Sequence, residues 1–313
     1  MAQGFEVVHP GVLTTYQDLG RRGFRQLGIP LSGAMDAVAL RAANLLAGNE
    51  EGEVGLEVTL MGLKMKALSS LLIAVSGGDL NFTINSEYQS PWKNYRLKAG
   101  DVIHFRSRRS GFRAYLAVRG GLEAPSFMGS SSVFQRGLMG CPLREGDRLE
   151  VKTAKGKTVP EFQAPPEQLL IRSDPGSIRV ILGPQEDRFS EEVVSHFLNG
   201  TYRIKSQSDR MAYRLEGPKI NPRGKADIIS EPLMPGAIQV PNDGSPIILM
   251  MDGQTTGGYA KIANVISADI PILAQKAPGE QVRFEAVDLE RAYEALEQQE
   301  KFVLRLKRAL SSA

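Results

Sequence analysis

The stretch from Gln239 to Lys261, QVPNDGSPIILMMDGQTTGGYAK, runs from an apolar strand into a polar, glycine-rich turn. The apolar run Ile247 to Met251 predicts a buried strand, and Asp252-Gly253 predicts a turn at its tip. Gln254, Thr255 and Thr256 add an amide and two hydroxyls, and Gly257 and Gly258 can adopt positive φ and let a ligand approach the backbone. Free N–H groups in such a turn can form an anion-binding nest, or the glycines can simply serve a hairpin.

Working outward, short β-like runs dominate: Phe5 to Val8, Leu71 to Val75, Leu80 to Ile84, Asp101 to Phe105, Phe112 to Val118, Arg148 to Val151, Ile178 to Leu182, Ala237 to Val240 and Gln281 to Phe284. Gly, Pro, Asn or Asp punctuates most of them, which predicts barrels or sandwiches, mainly β with a few helices. Helices are predicted from Asp36 through Ala47, where Asp36 caps and Gly48 stops; from Ser190 to Leu198; from Ala268 to Gln275; and from about Asp288 to Leu310. Residues 153–168, TAKGKTVPEFQAPPEQ, lose the apolar pattern and gain three prolines. They place a domain boundary near residue 160, giving lobes 1–160 and 161–313.

Composition excludes several roles. At 313 residues, 42% hydrophobic and 23% charged, the chain can bury a sizeable core. A net charge of +3 is too small for a nucleic-acid binder, and the cluster Arg106, Arg108 and Arg109 reads as a solvated strand end. One cysteine, Cys141, rules out an intramolecular disulfide framework. The start MAQGFEVVHPG lacks a basic region followed by an apolar core, and no apolar run reaches the ~20 residues that span a bilayer, so a cytoplasmic location is expected. His9, His104 and His196 are scattered, without metal-ligand spacing. There is no GxxxxGK[ST] loop, no GxGxxG and no GxSxG elbow. Gly62-Leu63-Lys64-Met65-Lys66 lacks the residues that precede a biotinyl lysine, so the chain is not expected to carry biotin.

Two further segments carry chemistry. Asp18-Leu19-Gly20-Arg21-Arg22-Gly23 and Gly28-Ile29-Pro30-Leu31-Ser32-Gly33-Ala34-Met35-Asp36 bring acids, arginines and a Ser-Gly pair to a helix N-terminus, where an anion is favoured. Alternatively, Asp36 only caps the helix and Asp18 pairs with Arg21. In Ser208-Asp209-Arg210-Met211-Ala212-Tyr213-Arg214-Leu215, Arg210 and Arg214 share a face in either a helix or a strand and could clamp a carboxylate, or one could serve a structural ion pair.

Read together, these segments resemble the allophanate hydrolase subunit two family, also known as biotin-dependent carboxyltransferase, KipA and the C subunit of 5-oxoprolinase. The similarity rests on DLGRRGFRQLGIPLSGAMD at Asp18 to Asp36, LEVTLMG at Leu56 to Gly62, RVILGPQEDRF at Arg179 to Phe189, SDRMAYRLEGP at Ser208 to Pro218, and the block from Gly236 to Phe284. Ala212 and Ala260 depart from a common glycine and proline. The resemblance implies two cyclophilin-like β-barrel lobes. It also implies one component of an ATP-dependent 5-oxoprolinase that opens 5-oxo-L-proline to L-glutamate together with KipI-like and LamB/YcsF-type subunits, with ATP used by the complex. A lactam is a stabilised amide, so its carbonyl oxygen must be activated and the developing charge held by fixed donors. On this reading Asp252 polarises or transfers a proton, Lys261 with Arg210 or Arg214 holds the substrate carboxylate or a transferred phosphate, and Thr255, Thr256, Gly257, Gly258 and Tyr259 supply donors. Asp18, Arg21, Ser32, Asp36 and Gln239 complete the expected binding set. Two alternatives accompany the resemblance: carboxyl transfer to urea or a related amide, with biotin delivered by another protein, and a non-enzymatic KipA-type role in binding a KipI-like kinase inhibitor.

Overall fold

The structure, a computed structural model, describes residues 4–154, 159–164 and 176–312. Its contacts divide the chain into two units: residues 1–21, 36–171 and 300–313 form one, and residues 22–35 and 172–299 form the other. Much of the proline-rich segment 153–168 lies outside the described residues. The early segment 22–35 groups with the C-terminal strands, an exchange that a single cut near residue 160 does not express.

The first unit contains β1 (Gly4–Pro10), β2 (Leu13–Gln17), β3 (Gly55–Thr59), β4 (Leu63–Ala67), β5 (Leu71–Asp79), β6 (Phe82–Ile84), β7 (Glu87–Tyr88), β8 (Lys93–Leu97), β9 (Val102–Phe105), β10 (Ser110–Val118) and β11 (Arg148–Glu150). They form a six-stranded sheet, β11-β1-β4-β9-β6-β7, and a five-stranded sheet, β2-β3-β10-β5-β8. Alternate residues point to opposite faces, so Leu56 and Val58 of β3, Ile73 and Val75 of β5 and Leu116 and Val118 of β10 share one core with Val7, Met65, Phe82 and Phe105. The helix α1 (Ala37–Ala47) packs against β5 and β10. Asp36 caps it by accepting from Ala39 N at 2.9 Å, Gly48 closes it in the left-handed region, and Ser76 Oγ donates to Ala39 O at 2.6 Å.

The second unit contains β12 (Ile178–Leu182), α2 (Glu191–Asn199), β13 (Tyr202–Ile204), β14 (Ala212–Glu216), β15 (Asp227–Pro232), β16 (Ala237–Gln239), β17 (Ile247–Leu249), β18 (Thr256–Tyr259), β19 (Lys261–Val265), α3 (Ile270–Ala274), β20 (Gln281–Val282) and β21 (Phe284–Ala286). Eight strands form one sheet, β20-β13-β14-β17-β16-β19-β12-β21, around a core that includes Val180, Ile204, Tyr213, Ile238, Ile248, Ile262 and Phe284. β15 and β18 form a separate two-stranded ribbon. The helix α4 (Leu289–Ser312) begins in this unit, and its residues from Glu300 onward group with the first.

The mainly β, barrel-like expectation holds. Several predicted elements are shorter than expected: the run Ile247 to Met251 is a strand only through Leu249, and Ala237 to Val240 only through Gln239. The run at Leu80 starts as a strand only at Phe82, because Asn81 takes φ 52° and its N–H bonds Asp79 Oδ1 at 2.9 Å. The helix expected from Ala268 is a 3₁₀ turn, Ser267–Asp269, followed by α3. Asp269 supplies no side-chain cap; its buried carboxylate instead accepts from Arg179 N, Nε and Nη2 at 2.7, 3.1 and 2.6 Å.

Candidate functional site

The strand tip after Met251 is a closed polar knot. Asp252 and Arg210 are 5% and 7% exposed and bind each other side-on, Nε to Oδ2 at 2.9 Å and Nη2 to Oδ1 at 3.2 Å. Asp252 N donates to Arg210 O at 2.9 Å, and Arg210 Nη2 also donates to Gly33 O at 2.6 Å. Ser32 N bonds Met251 O at 2.9 Å, and Arg25 donates to Leu233 O. Burial pulls the Arg25 guanidinium below its usual range. These bonds tie the segment 22–35 to the tip and its surroundings. Ser32 sits at φ 53°, fully buried, and its hydroxyl has no hydrogen-bond partner among the described residues.

Several sequence expectations are corrected here. Gly257 and Gly258 do not form a positive-φ nest; they lie in β18, paired with β15. They are small because their neighbours are close. A Cβ on Gly257 would fall 2.6 Å from Leu233 Cδ1 and 2.9 Å from Gln239 Nε2, and one on Gly258 would fall 3.0 Å from Ile228 O. Arg210 and Arg214 do not clamp a common guest: Arg214 is exposed on β14, whereas Arg210 precedes the strand and is buried. Asp18 is held by the loop 127–132. It accepts from Ser130 Oγ, Ser132 Oγ, Ser131 N and Gly20 N at 2.6–2.8 Å, while Arg21, 1% exposed, donates to Phe127 O and Ser132 O. Both organise the loop 127–132. Asp36 is the cap of α1, and its N–H donates to Tyr115 Oη at 2.7 Å.

That tyrosine belongs to a buried polar face the sequence did not disclose. Tyr115 Oη donates to Glu57 Oε2 at 2.7 Å, and Arg113 Nε lies 3.6 Å from Glu57 Oε1. Burial, reinforced by Glu57 and Asp36, pushes the Tyr115 hydroxyl well above its ordinary range, so it remains a proton donor. The motif LEVTL entered the sequence reading only through the family resemblance, and no linear pattern says that the face carrying Glu57 is covered.

The other sequence-predicted residues gather on the second unit's ribbon and at the adjoining ends of β16 and β19, two interior strands of its sheet. Lys261 opens β19, opposite Gln239 of β16, and is 4% exposed. Its ammonium donates to Glu231 Oε1, to which Gln185 Nε2 also donates at 2.6 Å. Lys261 N in turn donates to Gln185 Oε1 at 3.1 Å. Lys261, joined by Gln185, holds the Glu231 carboxyl below the usual carboxylate range against a smaller opposing effect of burial. Gln239, buried, donates to Tyr259 O at 3.4 Å. Thr255 is buried and its carbonyl accepts from Leu233 N at 2.8 Å; Thr256 and Tyr259 are exposed. Glu231 and Gln185 were not singled out in the sequence. Their only signals are an acid in an exposed-looking strand and the polar turn GPQED.

Chemically, the cluster sets one ammonium and one side-chain amide as donors on a single carboxylate oxygen. Among the described residues no group of three or more His, Cys, Asp or Glu is placed to hold a metal ion, and no helix is long and apolar enough to cross a membrane.

The chain belongs to the carboxyltransferase domain family, subdomains A and B, whose model matches residues 27–286. Among its relatives, the 5-oxoprolinase C subunit of Escherichia coli K12 is 38% identical over 303 residues, covering 95% of this chain and 96% of that one. The Haemophilus influenzae 5-oxoprolinase C subunit is 35% identical, covering 89% of each. The crystal structure of the K. lactis urea amidolyase superposes with a TM-score of 0.90 at 32% identity over 97% of this chain. The chain spans 20% of the length of that structure.

Proposed function

We propose that the chain is the C subunit of an ATP-dependent 5-oxoprolinase complex that hydrolyses 5-oxo-L-proline to L-glutamate together with KipI-like and LamB/YcsF-type subunits. The observation that carries this reading is the end-to-end correspondence with the E. coli 5-oxoprolinase C subunit, in which nearly the whole of each chain is matched. ATP would supply activation of the lactam oxygen. The donors around Lys261, one ammonium with the Gln185 amide, match a single carboxylate, and ATP is assigned to the complex as a whole.

Within that division of labour, Lys261 holds an anionic group of the substrate, with Gln239 and the ribbon residues Gly257 to Tyr259 forming the wall beside it. Asp252 keeps Arg210 fixed against the 32–33 turn, and Ser32 supplies a hydroxyl at the same point. The test is reconstitution. Purified subunits mixed with 5-oxoproline and ATP should release glutamate, and omission of this chain should abolish release; undiminished glutamate without it would overturn the assignment.

A second reading has its own support. The likeness to the K. lactis urea amidolyase structure favours transfer of a carboxyl group to urea or a related amide from biotin carried by another protein. That activity would require a biotinylated carrier and be blocked by avidin. Avidin-insensitive turnover rejects it.

A further inference from the structure

The Lys261 ammonium is buried, yet the carboxylate that neutralises it comes from outside the sheet. Its own side chain is 5% exposed, whereas that of Glu231 is 34% exposed. A buried ammonium requires an anion, because desolvating an unpaired charge is strongly unfavourable. The identity of that anion is not fixed by the sheet. Glu231 belongs to β15, whose sheet partner is β18 alone, and the pairing of these strands shifts register between Asp227 and Glu231. A two-stranded ribbon is marginally stable by itself, so displacing it costs less than displacing a strand of the main sheet.

The receiving side is the more rigid part. Lys261 and Gln239 sit in register on β19 and β16. Gln185 is oriented by the Lys261 N–H, which donates to its Oε1 and thereby aims Nε2 outward as a donor. That amide and the ammonium converge on one oxygen, Glu231 Oε1. Directly across the ribbon from Glu231 lies Gly257, and a Cβ there would meet Gln239 Nε2 at 2.9 Å and Gln254 Nε2 at 3.1 Å. One side-chain amide and an ammonium therefore converge on one carboxylate oxygen, and the amides of Gln239 and Gln254 lie beside Gly257, the position across the ribbon, where the absent side chain leaves them room.

We propose that Lys261 and Gln185 form a binding site for a small carboxylate and that Glu231 is its built-in occupant, yielding the place when a ligand carboxylate arrives. The inference rests on the reading of Lys261 as an anion-holding residue and adds Gln185 as a binding residue and Glu231 as an intramolecular competitor. It does not depend on which amide the complex hydrolyses.

Acetate and 5-oxoproline serve as separate probes on the full chain, titrated at constant ionic strength against chloride. Glu231→Ala should bind acetate at least tenfold more tightly than the unaltered chain by calorimetry, and acetate should raise the melting temperature of the variant more than chloride does. Adding Lys261→Met to Glu231→Ala should remove both effects. Glu231→Gln, which keeps a side chain in place, should show the same gain to a smaller extent and guards against simple misfolding of the alanine variant. Equal acetate affinity in the unaltered chain and both Glu231 variants, or tight binding that survives Lys261→Met, would overturn the proposal. If acetate binds the opened site and 5-oxoproline does not, the site stands and the oxoprolinase reading is the one that fails.

Discussion

Asp252 and Arg210 show how a residue can look exposed in sequence and be enclosed in the fold. An Asp-Gly pair after an apolar strand reads as a solvent-facing turn; here the carboxylate is side-on to a buried guanidinium that also holds Gly33 O. Asp252→Asn keeps the shape and removes the negative charge that Arg210 Nε meets at 2.9 Å. Loss of one partner of a buried pair costs about 3–5 kcal/mol, and urea unfolding of the variant should show a loss near the lower end because the amide can still accept one bond. If the variant folds and its complex turns over normally, Asp252 has no part in the chemistry. Glu231 gives a prediction with a sign. Its folded pKa lies below the ordinary 4.5, so its contribution to stability is present above about pH 4.5 and is lost as pH falls through the lowered value. The stability difference between the unaltered chain and Glu231→Gln should therefore shrink on acidification below that point, read from urea melts between roughly pH 3 and 7. A difference that grows in acid would show that Lys261 is not what lowers the carboxyl. The identities of Lys261, Asp252 and Arg210 were legible as chemistry-bearing; their partners Glu231 and Gln185 were not, because contacts made across 30 and 76 positions leave no mark on local spacing.

At the level of elements, apolar alternation marked the strands that carry the core and missed those with a polar outer face. β3 reads Gly55-Leu56-Glu57-Val58-Thr59, and only the inward pair Leu56 and Val58 follows the rule that polar positions meet water. The outward Glu57 is 1% exposed and bonded to Tyr115. The ribbon was missed for a related reason: Thr256 to Tyr259 has the composition of a turn, and its strand geometry is imposed by pairing with β15. Glycine has one demanding position in β5. Gly77 lies at φ 83° where the pairing with β10 shifts register, and a Cβ would come 2.6 Å from Arg113 O. Gly77→Ala should destabilise the chain by about 1–3 kcal/mol in a denaturant titration, since neither the dihedral nor the backbone oxygen can yield cheaply. A neutral result would mean the bulge relaxes without cost.

For the whole molecule, the division of the chain makes its own forecast. Residues 22–35 contribute Met35 to the second unit's core and the Ser32 and Gly33 bonds to its tip. A fragment of residues 172–299 alone should lack a cooperative thermal transition, and joining 22–35 to it through a flexible linker should restore one; a sharp transition in the fragment alone would contradict the assignment. The terminal helix makes a matching forecast for the first unit. Phe302, 1% exposed, meets Trp92 edge-on at 6.1 Å, and Glu300 binds Arg41 through both oxygens at 2.6 and 2.7 Å. Phe302→Ala should lower stability by about 3–5 kcal/mol. The sequence predicts the helix itself, from about Asp288 to Leu310; the partners at Trp92 and Arg41 are more than two hundred positions away and only the fold discloses them.

The grouping of residues 22–35 with 172–299 has a temporal consequence during synthesis. About 140 residues must leave the ribosome between the early segment and the first of its partners, which at about 5–20 residues per second means a delay of roughly 7–28 s. Throughout that delay Pro30, Ala34 and Met35, all buried in the finished protein, wait for the strands they group with. A nascent chain stalled before residue 172 should therefore be a better client for a holding chaperone than the completed polypeptide.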